Sequence, residues 1–209
     1  MQELPTPPRS RDSTPTRTPP QTPFVLADGR PVAFVPITPM SKPVIAAAMT
    51  HLSPETIRRR FHAARRELSE PELDRLTRLD GWNQYAIGAC TVGADGKLEG
   101  IGVARFVRLT DDATTAELAI TIVDAYQGRG IGAALVARLA DAATARGIRH
   151  LKAVVLPDNT PIIGLLRRYA PHAIWRREDG NLVASISLAE ERPKPAKRIS
   201  RRRPPDMRR

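Results

Sequence analysis

Residues 116–132 read AELAITIVDAYQGRGIG, an apolar segment that runs directly into a loop with three glycines. The alanine- and leucine-rich run that follows is typical of a helix. Glycine lets the backbone approach a ligand closely. The first turn of a helix also offers unpaired N–H groups at the positive end of its dipole. A strand, a glycine loop and a helix start in this order predict a socket for a phosphate group.

The segments on either side of this loop predict the fold class. Strands are expected at Gln84–Val92, Leu98–Arg108 and Thr114–Val123. The turns between them are far shorter than the dozen or so residues that a parallel crossover needs, so these strands are antiparallel neighbours. After the loop we expect a helix to Gly147, a strand over His150–Leu156, a helix to Tyr169 and a hairpin over 173–188. The sequence therefore predicts an α/β fold with a mixed, mostly antiparallel sheet flanked by helices.

Helices are expected before the first of these strands, over 41–51, from Ser53 to Leu68 and from Ser69 to about Asp80. Ser53 is a favourable N-cap residue, and a proline follows it at the first helical position. The second helix carries a basic run, Arg58, Arg59, Arg60, Arg65 and Arg66. We interpret this run as a solvated helix face in preference to a binding patch.

The positive charge of the chain is concentrated in its C-terminal tail. The formal net charge is +11, and residues 192–209 contain nine Lys/Arg and one Asp. Residues 1–23 contain seven prolines and five threonines, and such a segment cannot bury enough apolar surface to offset its ordering entropy. We predict disorder at 1–23 and 192–209 around one domain at 24–191. The basic tail favours weak contact with polyanions, although a solvated tail without a specific partner is equally consistent.

Composition excludes several classes of protein. The single Cys90 excludes a disulfide framework and a cysteine-based zinc site, and we expect it to be a buried strand residue. The four histidines show no metal-ligand spacing, so no metal is predicted. The sequence contains neither an apolar run long enough to span a bilayer nor a signal-peptide core. We expect a cytoplasmic protein without membrane association, and the sequence predicts no oligomeric state.

The segment Gln127–Gly132 resembles the Gln/Arg-x-x-Gly-x-Gly/Ala signature of the GNAT (GCN5-related) N-acetyltransferases, at the same strand-to-helix junction. The resemblance covers roughly residues 30–188 and includes the order of the predicted elements. Residues 116–127 are most similar to the bacterial protein-lysine acetyltransferases, as are Leu52–Thr56. The resemblance implies a GNAT fold and transfer of an acetyl group from acetyl-CoA to a primary amine, on either a protein lysine or a small molecule.

The resemblance also implies where acetyl-CoA binds. The N–H groups of residues 128–133 would hold the pyrophosphate, and the end of the preceding strand would bind the pantetheine arm. Asn159 matches an Asn that contacts CoA in many family members, and it fits equally well as a helix N-cap. The predicted cofactor-binding residues are Ile122, Val123, Gln127, Gly128, Arg129, Gly130, Ile131, Gly132, Ala133 and Asn159.

Glu117 is the predicted general base. It lies five residues before Ile122, a separation of ~17 Å at ~3.3 Å per residue, which is about the length of a pantetheine arm. We expect the alternating residues Ala119, Thr121 and Val123 to give Glu117 a mostly apolar setting that raises the pKa of its carboxyl. A protonated amine must lose a proton before it can attack, and the resemblance implies a Glu in this role.

The chain departs from the family pattern at the general acid. Many family members have a Tyr seven residues after the Asn, where this chain has Leu166 and the nearest Tyr is Tyr169. No general acid is therefore predicted. An alternative function is a catalytically weak acyl-CoA-binding module of the same fold that binds polyanions through its basic tail. A dinucleotide-binding fold also fits the glycine spacing, but the antiparallel strands before the loop argue against it.

Overall fold

An eight-stranded mixed sheet forms the centre of the part of the chain that the structure describes. The structure is a computed structural model that describes residues 24–61, 67–93 and 95–189. The strands are β1 (Phe24–Val25), β2 (Pro31–Pro36), β3 (Gln84–Val92), β4 (Leu98–Arg108), β5 (Thr115–Ile122), β6 (His150–Val155), β7 (Ile174–Glu178) and β8 (Asn181–Ser187). Their order in the sheet is β1-β2-β3-β4-β5-β6-β8-β7. Neighbouring strands pair antiparallel apart from β5 and β6, which confirms the predicted mixed sheet.

Five helices flank this sheet within the described ranges: α1 (Lys42–Met49), α2 (Pro54–Phe61), α3 (Glu70–Thr77), α4 (Ile131–Thr144) and α5 (Thr160–Tyr169). They divide between the two faces of the sheet, and a bulge at Ile101 of β4 turns Gly100 and Gly102 to opposite faces. A Cβ at Gly100 on β4 would lie 2.8 Å from Val44 of α1, whereas a Cβ at Gly102 would lie 3.2 Å from Leu135 of α4. The main core lies between α4 and the sheet, where Leu118, Ile131 and Leu139 are buried.

Local sequence signals explain several element boundaries. Ser53 caps α2, since its Oγ accepts a hydrogen bond from the N–H of Thr56 at 3.2 Å. Asp179 and Gly180 both have positive φ at the hairpin between β7 and β8, as a tight two-residue hairpin turn requires. Cys90 is buried in β3, as predicted. The sequence missed β1, because two residues are too few for an alternating pattern to be recognised.

The parallel pair β5 and β6 separates after a short contact. The two strands pair only at Thr115/His150, Ala116/Leu151 and Glu117/Lys152. Beyond these positions β5 remains paired with β4 as far as Ile122, and β6 remains paired with β8 as far as Val155. The two strands therefore form the sides of a wedge that opens toward the glycine loop.

The predictions of disorder at 1–23 and 192–209 fall on residues outside the described ranges, as do Arg65 and Arg66 of the basic run. Within the described ranges, no helix has the length and apolar character that a bilayer crossing requires.

Candidate active site

A cleft of about 1070 Å³ lies beside the end of β5, on the side from which β6 has separated. Its volume slightly exceeds the ~300–1,000 Å³ that is usual for ligand pockets. The walls come from α2, the end of β5, the glycine loop and the facing sides of α4 and α5. The cleft is therefore large enough for a cofactor-sized molecule, and one of its walls is the predicted phosphate socket.

The glycine loop has the backbone conformation of a helix-start socket. Gly128 and Gly130 have φ of +72° and +86°, a left-handed region that glycine adopts without strain, and Gly130 is the N-cap of α4. Gly132 serves a different purpose, because a Cβ at this position would lie 3.0 Å from Cδ2 of Leu165 on α5. Gly130 is thus required for the backbone turn, and Gly132 for the close approach of α4 to α5.

Most of the predicted cofactor-binding residues line the cleft. They are Ile122, Gln127, Gly128, Gly130, Gly132, Ala133 and Asn159. Three do not contribute their side chains to it. Ile131 is fully buried in the core, Val123 is buried beneath the opposite face of the sheet, and Arg129 is exposed and forms an ion pair with Asp28 at 3.6 Å. For Ile131 and Val123, only backbone atoms are available to a ligand.

Two polar side chains that line the cleft, those of Gln127 and Asn159, form hydrogen bonds within the protein. The Nε2 group of Gln127 donates hydrogen bonds to the carbonyl oxygen of Ile122 at 3.2 Å and to Oγ1 of Thr56 at 3.4 Å. Asn159 caps α5, accepting a hydrogen bond from the N–H of Ile162 at 3.4 Å. The sequence left two roles open for Asn159, a helix N-cap and a CoA contact. The structure places Asn159 at the N-cap of α5 and also in the lining of the cleft.

Asp124 connects α2 to the segment that follows β5. Its carboxylate accepts hydrogen bonds from the N–H and Oγ of Ser53 at 2.9 and 2.7 Å, and from Oγ1 of Thr56 at 2.9 Å. Partial burial acts to raise the pKa of Asp124, but these hydrogen bonds outweigh it and the pKa is lowered. Sequence reasoning identified the cap at Ser53 and missed its partner, which lies 71 residues further along the chain.

Asp124→Asn is expected to lower the free energy of unfolding by about 1 kcal/mol at pH 7, since an exposed carboxylate is partly screened. The pKa of Asp124 is lower in the folded state than its value of about 3.9 in the unfolded state. The stabilisation is therefore complete above pH ~4 and is lost as the pH falls through the folded-state pKa. The difference from the wild type, measured by urea unfolding, should therefore shrink below pH ~4. Asp111→Asn, an exposed control, should show neither effect.

The arginines of α2 differ from the expected solvated helix face. Arg58 forms ion pairs with Glu55 at 2.7 Å and with Asp158, which precedes α5. Arg59 donates to the carbonyl oxygen of Asp158 at 3.1 Å, and Arg59 and Arg60 both line the cleft. The interpretation as a solvated face is wrong for Arg59 and Arg60, which line the cleft. The Arg58 side chain is 43% exposed, and together with Arg59 it holds α2 against the start of α5.

Glu117 lies on the α2 side of β5 and lines neither this cleft nor the second cavity described below. The predicted apolar setting is wrong, because Glu117 is exposed. Its neighbours on this face include cations: Lys152 is its direct cross-strand partner, and its charge acts on Arg60 and Arg105. Burial lowers the pKa of Arg60, the nearby charge of Arg105 lowers it further, and Glu117 opposes both effects.

Leu166 cannot serve as a proton donor, and it is fully buried in the core. Tyr169, one turn further along α5, lines the cleft. Among the described residues, no group of three or more His, Cys, Asp or Glu side chains is placed to hold a metal ion.

Comparison with known proteins identifies the family. The model of the Acetyltransferase (GNAT) family matches residues 55–170, which is more than half of the chain. The chain is 38% identical to Acetyltransferase Pat of Mycolicibacterium smegmatis over 131 residues, 63% of this chain and 38% of Pat. It is 33% identical to Acetyltransferase PA5475 of Pseudomonas aeruginosa over 129 residues, 62% of this chain and 68% of that protein. The match to Pat therefore spans well under half of Pat's length.

Solved structures show the same fold. The GNAT domain of S. lividans PAT superimposes with a TM-score of 0.70 at 30% identity, over 79% of this chain and 96% of that domain. The structure of yncA from Salmonella typhimurium with its cofactor acetyl-CoA gives a TM-score of 0.60 at 16% identity, over 77% of this chain and 95% of that protein. The family match and these superpositions agree with the splayed strands and the glycine loop, and the chain is a member of the GNAT acetyltransferase family.

Proposed function

We propose that this protein transfers an acetyl group from acetyl-CoA to a primary amine. The observation that carries the proposal is the wedge between β5 and β6, which ends at a helix start preceded by Gly128 and Gly130. Such a helix start suits the pyrophosphate of CoA. The cleft has the volume for the rest of the molecule. The acetyltransferase relatives and the acetyl-CoA bound to yncA support this donor.

The donor is held mainly by backbone groups. The N–H groups at the start of α4 would bind the pyrophosphate, where the helix dipole favours a negative charge. The pantetheine arm would extend along Thr121 and Ile122, because β5 pairs with β4 here and its edge toward β6 is open. Gln127 holds the carbonyl oxygen of Ile122 and would fix the end of this edge.

Glu117 would act as the general base. The amine nitrogen passes a proton to Glu117 through bridging waters, because Glu117 lies four residues, or ~13 Å, along β5 from Thr121. The nitrogen forms a bond to the thioester carbon as the C–S bond breaks. Glu117 is close enough to Arg60 and Arg105 for its charge to act on both guanidinium groups. The exposure of Glu117 favours an acceptor presented on a protein surface, such as a lysine side chain, over one enclosed in the cleft.

Tyr169 would donate a proton to the departing thiolate, since it is the hydroxyl-bearing residue of α5 that lines the cleft. Tyr169→Phe is expected to lower kcat about tenfold, at the low end of general acid catalysis because a thiolate leaves readily. Pre-steady-state thiol release with acetyl-CoA and a peptide lysine measures this step. Tyr85→Phe, which removes the hydroxyl of a tyrosine outside the cleft, should leave the rate unchanged. Equal rates for Tyr169→Phe and the wild type would contradict the assignment.

A thiol-release assay on an amine panel tests the proposed function. The panel contains a lysine-containing peptide, the same peptide acetylated at lysine, free lysine and spermidine. Thiol release that requires both acetyl-CoA and an unmodified amine is the expected result. Tight binding of acetyl-CoA without transfer to any amine would instead favour the catalytically weak binding module.

The basic tail offers a separate test of that alternative. Residues 192–209 lie outside the GNAT domain predicted at 24–191. Deleting them is expected to leave acetyl transfer intact and to weaken any salt-dependent binding to a polyanion such as heparin. Loss of transfer on deletion would place the tail in the catalytic unit.

A further inference from the structure

A second cavity lies on the opposite face of the sheet from the main core, beneath α1. This α1 cavity has a volume of about 320 Å³ and is lined by side chains that include Val44, Ala48, Val103, Arg60 and Thr121. Its lining is almost wholly apolar, with Arg60 and Thr121 among the few polar contributors. The proposed function assigns no role to this cavity.

The α1 cavity lies next to the donor cleft. Arg60 and Thr121 line both spaces. Thr121 is one residue from Ile122, so it lies on the stretch of β5 along which the pantetheine arm would run. The inner end of a bound acyl-CoA would therefore reach the mouth of the α1 cavity.

Thr121 also has an unused polar atom at this junction. Its Oγ1 is buried and, within the described residues, has no hydrogen-bond partner. Buried hydroxyl groups in proteins normally form hydrogen bonds, so an unpartnered one indicates a site where a ligand supplies the partner. A thioester carbonyl at the junction would accept this hydrogen bond and would direct its acyl chain into the α1 cavity.

We propose that the α1 cavity binds the aliphatic chain of an acyl-CoA longer than acetyl, which makes this protein an acyltransferase for chains of about six carbons. The proposal rests on the proposed function, since it requires CoA in the donor cleft. The chemistry is unchanged: the amine nitrogen bonds to the acyl carbon, the C–S bond breaks and the CoA thiol is released. At roughly 30 Å³ for a group the size of a water molecule or a methylene, the cavity has room for such a chain.

Charge argues against the acceptor as the occupant. Arg60 lies at the mouth, and Arg105 is close enough for the two charges to repel each other. The described residues that line the cavity include no carboxylate, so a protonated amine would find no counter-charge there. Glu117, the proposed base, does not line the α1 cavity and is exposed. The acceptor therefore approaches from the exposed side of Glu117, and an uncharged acyl chain suits the cavity.

Calorimetric titration of the full chain with acetyl-, butyryl- and hexanoyl-CoA tests this assignment. A buried methylene contributes roughly fourfold in affinity. Hexanoyl-CoA is therefore expected to bind at least about tenfold more tightly than acetyl-CoA, even with incomplete burial. Ala48→Phe fills the cavity and should abolish this preference. Ala47→Phe, which carries the same change on the exposed side of α1, should keep it. Ala48→Leu replaces Ala48→Phe if the larger side chain prevents folding.

The outcomes separate this proposal from the proposed function. Binding of acetyl-CoA with equal or weaker binding of hexanoyl-CoA overturns the acyl-chain assignment alone. A preference for hexanoyl-CoA that persists in folded Ala48→Phe or Ala48→Leu also overturns it. Failure of every acyl-CoA to bind overturns the proposed function as well. Hexylamine that binds wild-type protein and loses affinity in the filled variant would make the α1 cavity an acceptor site instead.

Discussion

Glu117→Gln is expected to lower kcat at least tenfold and to leave the affinity for acetyl-CoA unchanged. Glutamine keeps the size of the side chain and removes its basicity, and a general base contributes ~10²–10⁴-fold to such a reaction. The carboxylate lies outside the lining of the donor cleft, so binding of the donor should not depend on it. Single-turnover thiol release with saturating acetyl-CoA and a lysine peptide measures the effect.

The pH profile provides a second measurement on Glu117. Without a base, the reaction depends on the fraction of amine that is already neutral, and this fraction rises with pH through the pKa of a lysine near 10.4. The rate of Glu117→Gln should therefore keep rising with pH over a range in which the wild type has reached its plateau. Glu70→Gln, which alters an exposed helix glutamate paired with Lys42, is the matched control and should behave as wild type. An unchanged rate for Glu117→Gln at saturating substrate would refute the role of Glu117.

Gly130→Ala is expected to weaken acetyl-CoA binding at least tenfold. Gly130 has a φ of +86° at the N-cap of α4, where a side chain is strained, and its Cβ would contact the ring of Phe24 at 3.6 Å. Relief of this strain would displace the N–H groups that form the phosphate socket. Loss of one hydrogen bond to a charged phosphate is alone worth about 1.5–3 kcal/mol, or about 10- to 150-fold in affinity. Calorimetric titration with acetyl-CoA measures the change.

Gly147 provides a control for the backbone strain at Gly130. It has a φ of +76° beyond the C-terminal end of α4, and nothing lies within 4 Å of the position that a Cβ would take. Gly147→Ala should lower the unfolding temperature by a similar amount and leave the affinity for acetyl-CoA intact. Equal losses of affinity in the two variants would mean that strain, and not the socket, explains the effect.

The fold and the glycine loop could be predicted because their signals are local in the sequence. Short turns identified the antiparallel strands, and the glycine spacing identified the start of α4. The separation of β5 from β6 and the cleft beside it could not be predicted, because they depend on pairing between segments that are distant in the sequence.

The missed features of the site are long-range contacts of α2. The basic run is compatible with a solvated face, and only the folded chain brings Arg58 and Arg59 to Asp158 and brings Ser53 to Asp124. The prediction of an apolar setting for Glu117 was wrong for a related reason. Alternation along β5 identified its face correctly, but the neighbours that surround it, Lys152 and Arg105, come from other strands.

Thermal unfolding of the full chain with acetyl-CoA, CoA, NAD or ATP tests the central claim most directly. A ligand that binds only the folded state stabilises it by ~2.7 kcal/mol at a concentration of about 100 Kd. Acetyl-CoA and CoA are expected to raise the unfolding temperature, and NAD is expected to leave it unchanged. Stabilisation by NAD without stabilisation by acetyl-CoA or CoA would contradict the assignment of the cleft between β5 and β6 to an acyl-CoA.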